Sequence, residues 1–182
     1  MSVLFGPFIQ QGYVVPDIDR AVSHWAARGV GPFFIEEHIR PPGEYDGRPI
    51  QPDLSAAFAF SGDQQIEVIQ QHDATETVYR DFLKGHPTGG LQHLAVWVED
   101  IPAALADLEA AGQQYRLRQR FGDAHAYIDS AERPGVMVQL MARIDLMTEL
   151  FDAIESASKS WDGVEKPLRR IDWSSGRPKL DD

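Results

Sequence analysis

Two stretches decide the fold: Gln10-Gln11-Gly12-Tyr13-Val14-Val15-Pro16-Asp17-Ile18 and His93-Leu94-Ala95-Val96-Trp97-Val98-Glu99-Asp100-Ile101. They superpose without a gap. Ala21 then falls on Ala104 and Val22 on Leu105, so Asp-Ile-x-x-Ala is identical in both copies. Each copy is an apolar run that reads as a buried strand, then an aspartate suited to cap a helix, then apolar residues at helical spacing. The carboxylates of Asp17 and Asp100 can accept the free N–H groups of a first helical turn. Pro102 fits that turn because its missing N–H costs nothing there. Agreement in strand, cap and helix together implies two equivalent supersecondary units, each needing the other to bury its sheet face.

Outward from these starts the pattern runs in parallel. The first helix stops at Gly29 and Gly31. Strand-like stretches follow at Pro32 to Arg40, Ser55 to Ser61 and Gln65 to Gln71, with the loop chemistry of Pro41 to Gly47 between the first two. The second helix stops at Gly112, and strands follow near Tyr115 to Arg120, His125 to Ser130 and Val136 to Met141, with a last turn at Arg133-Pro134-Gly135. The chain thus divides into a first βαβββ module over 5–74, a linking helix and loop over 75–90, a second module over 91–142, and a C-terminal helix and tail over 143–182. The helix from Ile144 to about Trp161 carries Leu146, Leu150, Phe151 and Ile154 on one stripe, which packs on the chain's own sheet or on a second copy. The tail with its Gly, Pro and mixed charge is expected to wrap the surface or lack order. The fold class is α+β, two βαβββ modules forming cupped mixed sheets plus a C-terminal helix.

Composition removes several classes of function. The 182 residues include no cysteine, which excludes a disulfide framework, a thiolate nucleophile and cysteine-based zinc or iron–sulfur sites. A net charge of −11 without a basic cluster repels nucleic acid and anionic lipid. No apolar window is long enough for a membrane span, and the N-terminus lacks the basic and apolar regions of a secretory signal. A cytoplasmic location is expected, with no nucleic-acid or membrane partner. No phosphate-cradling glycine loop or nucleophile elbow is present, so no nucleotide cofactor is expected. His24, His72 and His86 lack metal-ligand spacing and read as surface residues.

The opening strands Gln10 to Ile18 and Gly90 to Val98, with the closing strands Ile66-Glu67-Val68-Ile69 and Val136-Met137-Val138-Gln139-Leu140, resemble the vicinal-oxygen-chelate superfamily. This superfamily includes glyoxalase I, methylmalonyl-CoA epimerase, bleomycin-resistance proteins and extradiol dioxygenases. The resemblance covers roughly residues 5 to 142. It implies that each half gives two metal ligands, one from its first strand and one from its last: Gln10 and Glu67, then His93 and Gln139. The internal repeat agrees, since Gln10 lies over His93 and Glu67 holds the same place in its strand as Gln139. One common type of glyoxalase I uses Gln, Glu, His and Glu in this order; here Gln139 replaces the last glutamate.

One imidazole, one carboxylate and two amide oxygens can hold a divalent cation (Zn, Ni, Co, Mn or Mg), although only Glu67 brings charge. An amide cannot accept a proton at neutral pH, so Gln139 cannot act as the base that the family's glutamate provides. Glu67 is the remaining candidate catalytic base. A single histidine among the four positions argues against extradiol chemistry, which needs two. Strand alternation puts Gly12 and Val14 with Gln10, Trp97 with His93, Ile69 with Glu67, and Met137 and Met141 with Gln139. With Tyr127 on a neighbouring strand, these are the expected substrate-binding walls. Such a lining suits a hydrophobic ligand with one polar head. Two functions follow from the resemblance: a glyoxalase- or epimerase-like isomerase or lyase acting on a hydrophobic carbonyl or acid compound, or a non-catalytic sequestering protein of the bleomycin-resistance type. A homodimer is expected in either case.

Overall fold

The structure is a computed structural model that describes residues 6–129 and 135–181. The first half runs β1 (Gln10–Val14), α1 (Ile18–Ala26), β2 (Phe33–Ile39), a short hairpin of β3 (Gly43–Tyr45) and β4 (Arg48–Ile50), then β5 (Leu54–Ser61) and β6 (Gln64–Gln71). A linking helix α2 (Val78–Gly85) leads to the second half: β7 (Gly90–Val98), α3 (Ile101–Ala110), β8 (Arg116–Phe121), β9 (His125–Asp129) and β10 (Met137–Ala142). The chain continues as α4 (Asp145–Ser160), β11 (Leu168–Asp172) and β12 (Lys179–Leu180). The turn expected at Arg133 to Gly135 falls mainly on 130–134, outside the described residues.

The two βαβββ units share one mixed sheet of order β12-β11-β2-β5-β6-β1-β7-β10-β9-β8-β3-β4. In each half the first strand runs parallel to the last, β1 beside β6 and β7 beside β10. The halves join edge to edge where β1 meets β7 antiparallel. Both helices start as their sequences dictate. Asp17 Oδ1 accepts the Arg20 N–H at 2.9 Å, and Asp100 Oδ1 accepts the Ala103 N–H at 2.8 Å.

Strand alternation divides the apolar residues into three cores. One face of the first half packs Ile35, Ala57, Ile66 and Val68 under Ile18 and Val22 of α1. The same face of the second half packs Val96, Ala126, Ile128 and Leu140 under Ile101 and Leu108 of α3. The opposite, cupped face spans both halves, and Val14, Phe58, Ile69, Ala95, Tyr127 and Met141 meet Leu150, Phe151 and Ile154 of α4 there. Phe151 lies against Phe58 with centroids 6.0 Å apart and against Trp97 at 5.5 Å. α4 therefore lies across the cup and packs on the chain's own sheet. Its buried stripe is turned slightly from the expected one. Leu146 is 39% exposed, while Met147 reaches the cup's interior.

One expectation is corrected and one is sharpened. The segment read as a loop at Pro41 to Gly47 forms the β3–β4 hairpin around Asp46-Gly47, with φ of 45° and 75°. That geometry is the paired left-handed turn preferred by Asp-Gly hairpins. The hairpin crosses the molecule and pairs β3 with β8 of the other half. The tail, expected to wrap the surface or lack order, takes the first course in a more regular form and adds β11 parallel to β2, with Leu168 opposite Phe33. Among the described residues, no helix is long and apolar enough to cross a membrane.

Candidate functional site

The register of the central strands fixes two cross-strand rows. In the first, Gln65 of β6, Gln10 of β1, Ala95 of β7 and Gln139 of β10 lie side by side. In the second, Glu67, Gly12, His93 and Met137 do so. Gln10, Glu67, His93 and Gln139 are thus gathered on four adjacent strands, all buried: 1%, 7%, 0% and 3% exposed. His93 Nε2 lies 3.2 Å from Glu67 Oε2 although β1 runs between their strands. The glycine on β1 makes that approach possible. A Cβ on Gly12 would stand 1.9 Å from His93 Cε1.

The orientation of His93 is set from behind. Its Nδ1 lies 2.7 Å from Gln92 Oε1, while the Gln92 amide nitrogen faces the Met137 sulfur at 2.9 Å. Gln92 thus offers its oxygen as acceptor to Nδ1, which leaves Nε2 facing Glu67. Nε2 and a carboxylate oxygen attract only when a proton or cation lies between them. Anchoring the far ring nitrogen in this way is also how proteins orient metal-binding histidines.

The two glutamines leave oxygens free. Gln10 Nε2 donates to Gln65 Oε1 at 2.6 Å, and Gln139 Nε2 donates to the Tyr127 hydroxyl at 2.8 Å and approaches His125 Nδ1 at 3.3 Å. Gln10 Oε1 and Gln139 Oε1 are buried without a hydrogen-bond partner. Such atoms are costly to bury unless something else satisfies them. The donor set fits a divalent cation: two orphaned amide oxygens, one carboxylate and one imidazole nitrogen of fixed orientation.

Gln10, Glu67 and Gln139 line a cavity of about 140 Å³, while His93 lies behind Glu67, outside its lining. Of the expected ligand walls, Ile69, Tyr127 and Met141 also line it. Gly12, Val14, Trp97 and Met137 do not reach it. Gly12 is covered by the His93 ring. Val14 and Trp97 pack into the core beneath α4, and Met137 turns toward Gln92. Met147 and Phe151 of α4 supply walls instead.

Sequence reasoning missed several residues of the cavity. Glu36 of β2 lines it and accepts a hydrogen bond from the Trp173 indole. Burial raises the Glu36 pKa above the ordinary carboxylate range; the indole hydrogen bond opposes this, and the Glu67 charge adds to it. The signal was alternation, since Phe34 and Glu36 share a face. Gln65 shares the Glu67 face by the same rule. Tyr79, from the linking helix, hydrogen-bonds the Tyr127 hydroxyl at 2.7 Å, and nothing in its local sequence marks it. Burial pushes both tyrosine pKa values up, so they are phenols that donate protons. Burial also lowers the His125 pKa, against the pull of the Glu67 charge, so this imidazole stays neutral at pH 7.

A family model for the glyoxalase/bleomycin resistance protein/dioxygenase superfamily matches residues 9–128. The chain belongs to this superfamily. No curated protein matches the sequence. Among solved structures, a methylmalonyl-CoA epimerase from Mycobacterium tuberculosis is similar at TM-score 0.54 and 20% identity, covering 82% of this chain and 96% of that one. A second methylmalonyl-CoA epimerase gives 0.51 and 19%, covering 80% and 100%. A hypothetical protein from Bacillus halodurans C-125 gives 0.51 and 15%, covering 76% and 95%. At such identities these likenesses speak for the superfamily fold alone.

Proposed function

We propose that this superfamily member is a metal-assisted enzyme of the glyoxalase or epimerase type. It binds a hydrophobic carbonyl or acid compound and moves a proton next to the carbonyl. The observation that carries this reading is the pair of orphaned oxygens, Gln10 Oε1 and Gln139 Oε1, in one site with Glu67 and the anchored His93. These four residues would hold a divalent metal ion, which when bound supplies Lewis-acid polarisation of a substrate oxygen.

The chain's own residues carry the remaining work. Ile69, Met141, Met147 and Phe151 exclude water and bind the apolar part of the ligand. Gln139 cannot take a proton, so the base lies elsewhere on the wall. Glu36 and His125 both line the cavity. Burial raises the Glu36 pKa toward neutrality, as a proton-transferring carboxyl requires, and lowers that of His125, which leaves its imidazole neutral and able to accept a proton. Glu67 stays with the ligand set, and the tyrosine pair donates to the polar head the one hydroxyl proton not used in the Tyr79–Tyr127 hydrogen bond.

The test is elemental analysis of protein purified without chelators or a His-tag, alongside Glu67→Gln. The expected result is that Glu67→Gln holds one equivalent of divalent metal fewer than wild type. C–H exchange in deuterated buffer should then appear with 2-oxoaldehyde thiol adducts or 2-substituted acyl thioesters, and be suppressed in Glu36→Gln. Equal metal in both proteins after supplying Zn²⁺, Ni²⁺, Mn²⁺ and Mg²⁺ would sink the mechanism. The amide at Gln139 favours a second reading, sequestration of an apolar ligand without turnover. It predicts that Glu67→Gln leaves ligand affinity largely intact. The proposal includes a homodimer, checked by sedimentation.

A further inference from the structure

Outside the cavity, three side chains meet at the ends of three adjacent strands. His38 stands near the end of β2, Asp53 just before β5 and His72 just after β6. One ligand atom from each lies within 4.8 Å of the other two. His38 Nδ1 is 2.9 Å from Asp53 Oδ1. Arg40 donates to the other oxygen, Oδ2, at 2.8 Å, leaving Oδ1 to face the histidines. His72 Nε2 lies 2.8 Å from the Ser55 hydroxyl, which also accepts the His38 N–H at 3.3 Å. The His72 N–H donates to the Asp53 carbonyl at 2.8 Å. The two imidazoles face each other with centroids 4.4 Å apart.

The backbone is shaped to make this meeting. Between Glu36 and Ile39, β2 carries one residue more than its partner β5. The bulge places His38 at a φ of 53°, in the left-handed region. Glycine adopts that region freely, whereas histidine is strained there. A strained non-glycine residue with its side chain in a cluster of donor groups points to use of that side chain. Asp53 is only 11% exposed at its side chain, and His38 and Arg40 engage one carboxylate oxygen each. Its carboxylate thus lies beside the facing pair of imidazoles, oriented by Arg40.

We propose that His38, Asp53 and His72 form a second metal site, separate from the cavity, that takes a borderline transition-metal dication of the zinc class. Two imidazole nitrogens and one carboxylate oxygen suit Zn²⁺, Co²⁺ or Ni²⁺ over Mg²⁺ or Ca²⁺, with water completing the shell. Ser55 and Arg40 hold His72 and Asp53 in place. Bound metal ties together the ends of β2, β5 and β6. Ile39, Pro41 and Leu54, from the same segments, line the cavity, so the ion stiffens one rim of the ligand site.

The experiment uses the Glu67→Gln protein, stripped of metal with chelator, so that the cavity site is silent. Zn²⁺ is titrated against a chromophoric indicator, and Co²⁺ is followed by its visible absorption. Glu67→Gln is expected to bind one Zn²⁺. Adding His72→Gln, an exposed position where the amide can still meet Ser55, is expected to weaken binding more than about 100-fold, beyond the 10- to 100-fold typical of a merely supporting contact. His38→Gly removes the backbone strain with the ligand and should fold normally by circular dichroism yet lose the zinc-induced rise in Tm. Absence of zinc binding up to millimolar concentration, or an affinity unchanged by His72→Gln, overturns the proposal. If wild type and Glu67→Gln both bind a single ion that His72→Gln removes, the cavity mechanism falls and this site stands.

Discussion

The two halves of the sheet are built to one plan and closed by different physics. At the outer edge of the first half, β2 is covered by β11, and its cupped face is sealed by apolar contact with α4, Phe151 lying against Phe58. At the outer edge of the second half, β8 is covered by the hairpin borrowed from the first. That contact is charged. Arg118 reaches Asp46 at 3.0 Å, Asp81 at 3.0 Å and the Tyr45 hydroxyl at 2.9 Å, with its side chain only 17% exposed. A repeat thus constrains what lies within each unit and leaves the edges free to be closed by whatever the surrounding chain supplies.

Four substitutions break or sharpen this contrast. The largest effect belongs to the apolar seal: Phe151→Ala should cost about 3–5 kcal/mol in denaturant unfolding and enlarge the cavity. Next is the charged seal, where Arg118→Ala removes the donor shared by Asp46 and Asp81, leaving Asp46 to Arg116 and Asp81 to Tyr45 and Lys84, and should cost about 1–2 kcal/mol. The Asp81 pKa is lowered by Lys84, Tyr45 and Arg118 against the effect of its burial. An acid with a depressed folded-state pKa stabilises above its unfolded pKa of about 3.9, and that contribution fades as pH falls through the folded value. Acid should therefore loosen the hairpin of wild type more than that of Arg118→Ala, which amide exchange of β3 and β4 reads directly. Third, Gly12→Ala pushes the His93 ring off Glu67 where the halves join, at about 1–3 kcal/mol. It should also abolish metal binding at the cavity, measured by elemental analysis. The smallest effect is at the exposed Arg48–Glu76 pair, 3.1 Å apart, where Arg48→Ala should change stability by about 0–1 kcal/mol.

The same contrast explains what the sequence disclosed. Strands, caps and the two outer cores are local or periodic features, so Asp17, Asp100 and the alternation of Ile66 and Val68 announced them. The gathering of Gln10, Glu67, His93 and Gln139 was legible because the family resemblance implied those positions and the repeat matched them pairwise. Packing across strands was not. Gly12 was read as a ligand wall because alternation gives its face, whereas its actual neighbour is a ring from β7. The β3–β8 and β2–β11 pairings join residues far apart in sequence, and no local pattern specifies a partner. The Asp46-Gly47 dipeptide did carry a hairpin signal, obscured by the prolines before it. Glu36 was hidden because its hydrogen-bond partner, Trp173, lies in the tail.

The place of α4 in the chain has a consequence for biosynthesis. Every strand that carries Gln10, Glu67, His93 and Gln139 leaves the ribosome before α4 does, so the cup can form while its apolar floor still faces water. Phe58, Ile69, Tyr127 and Met141 form part of that floor. Until residues 145–160 emerge, the nascent chain presents a sticky concave surface of the kind that recruits chaperones or aggregates. Emergence of α4 thus completes the ligand chamber, and a nascent chain stalled before it displays the floor to the cell.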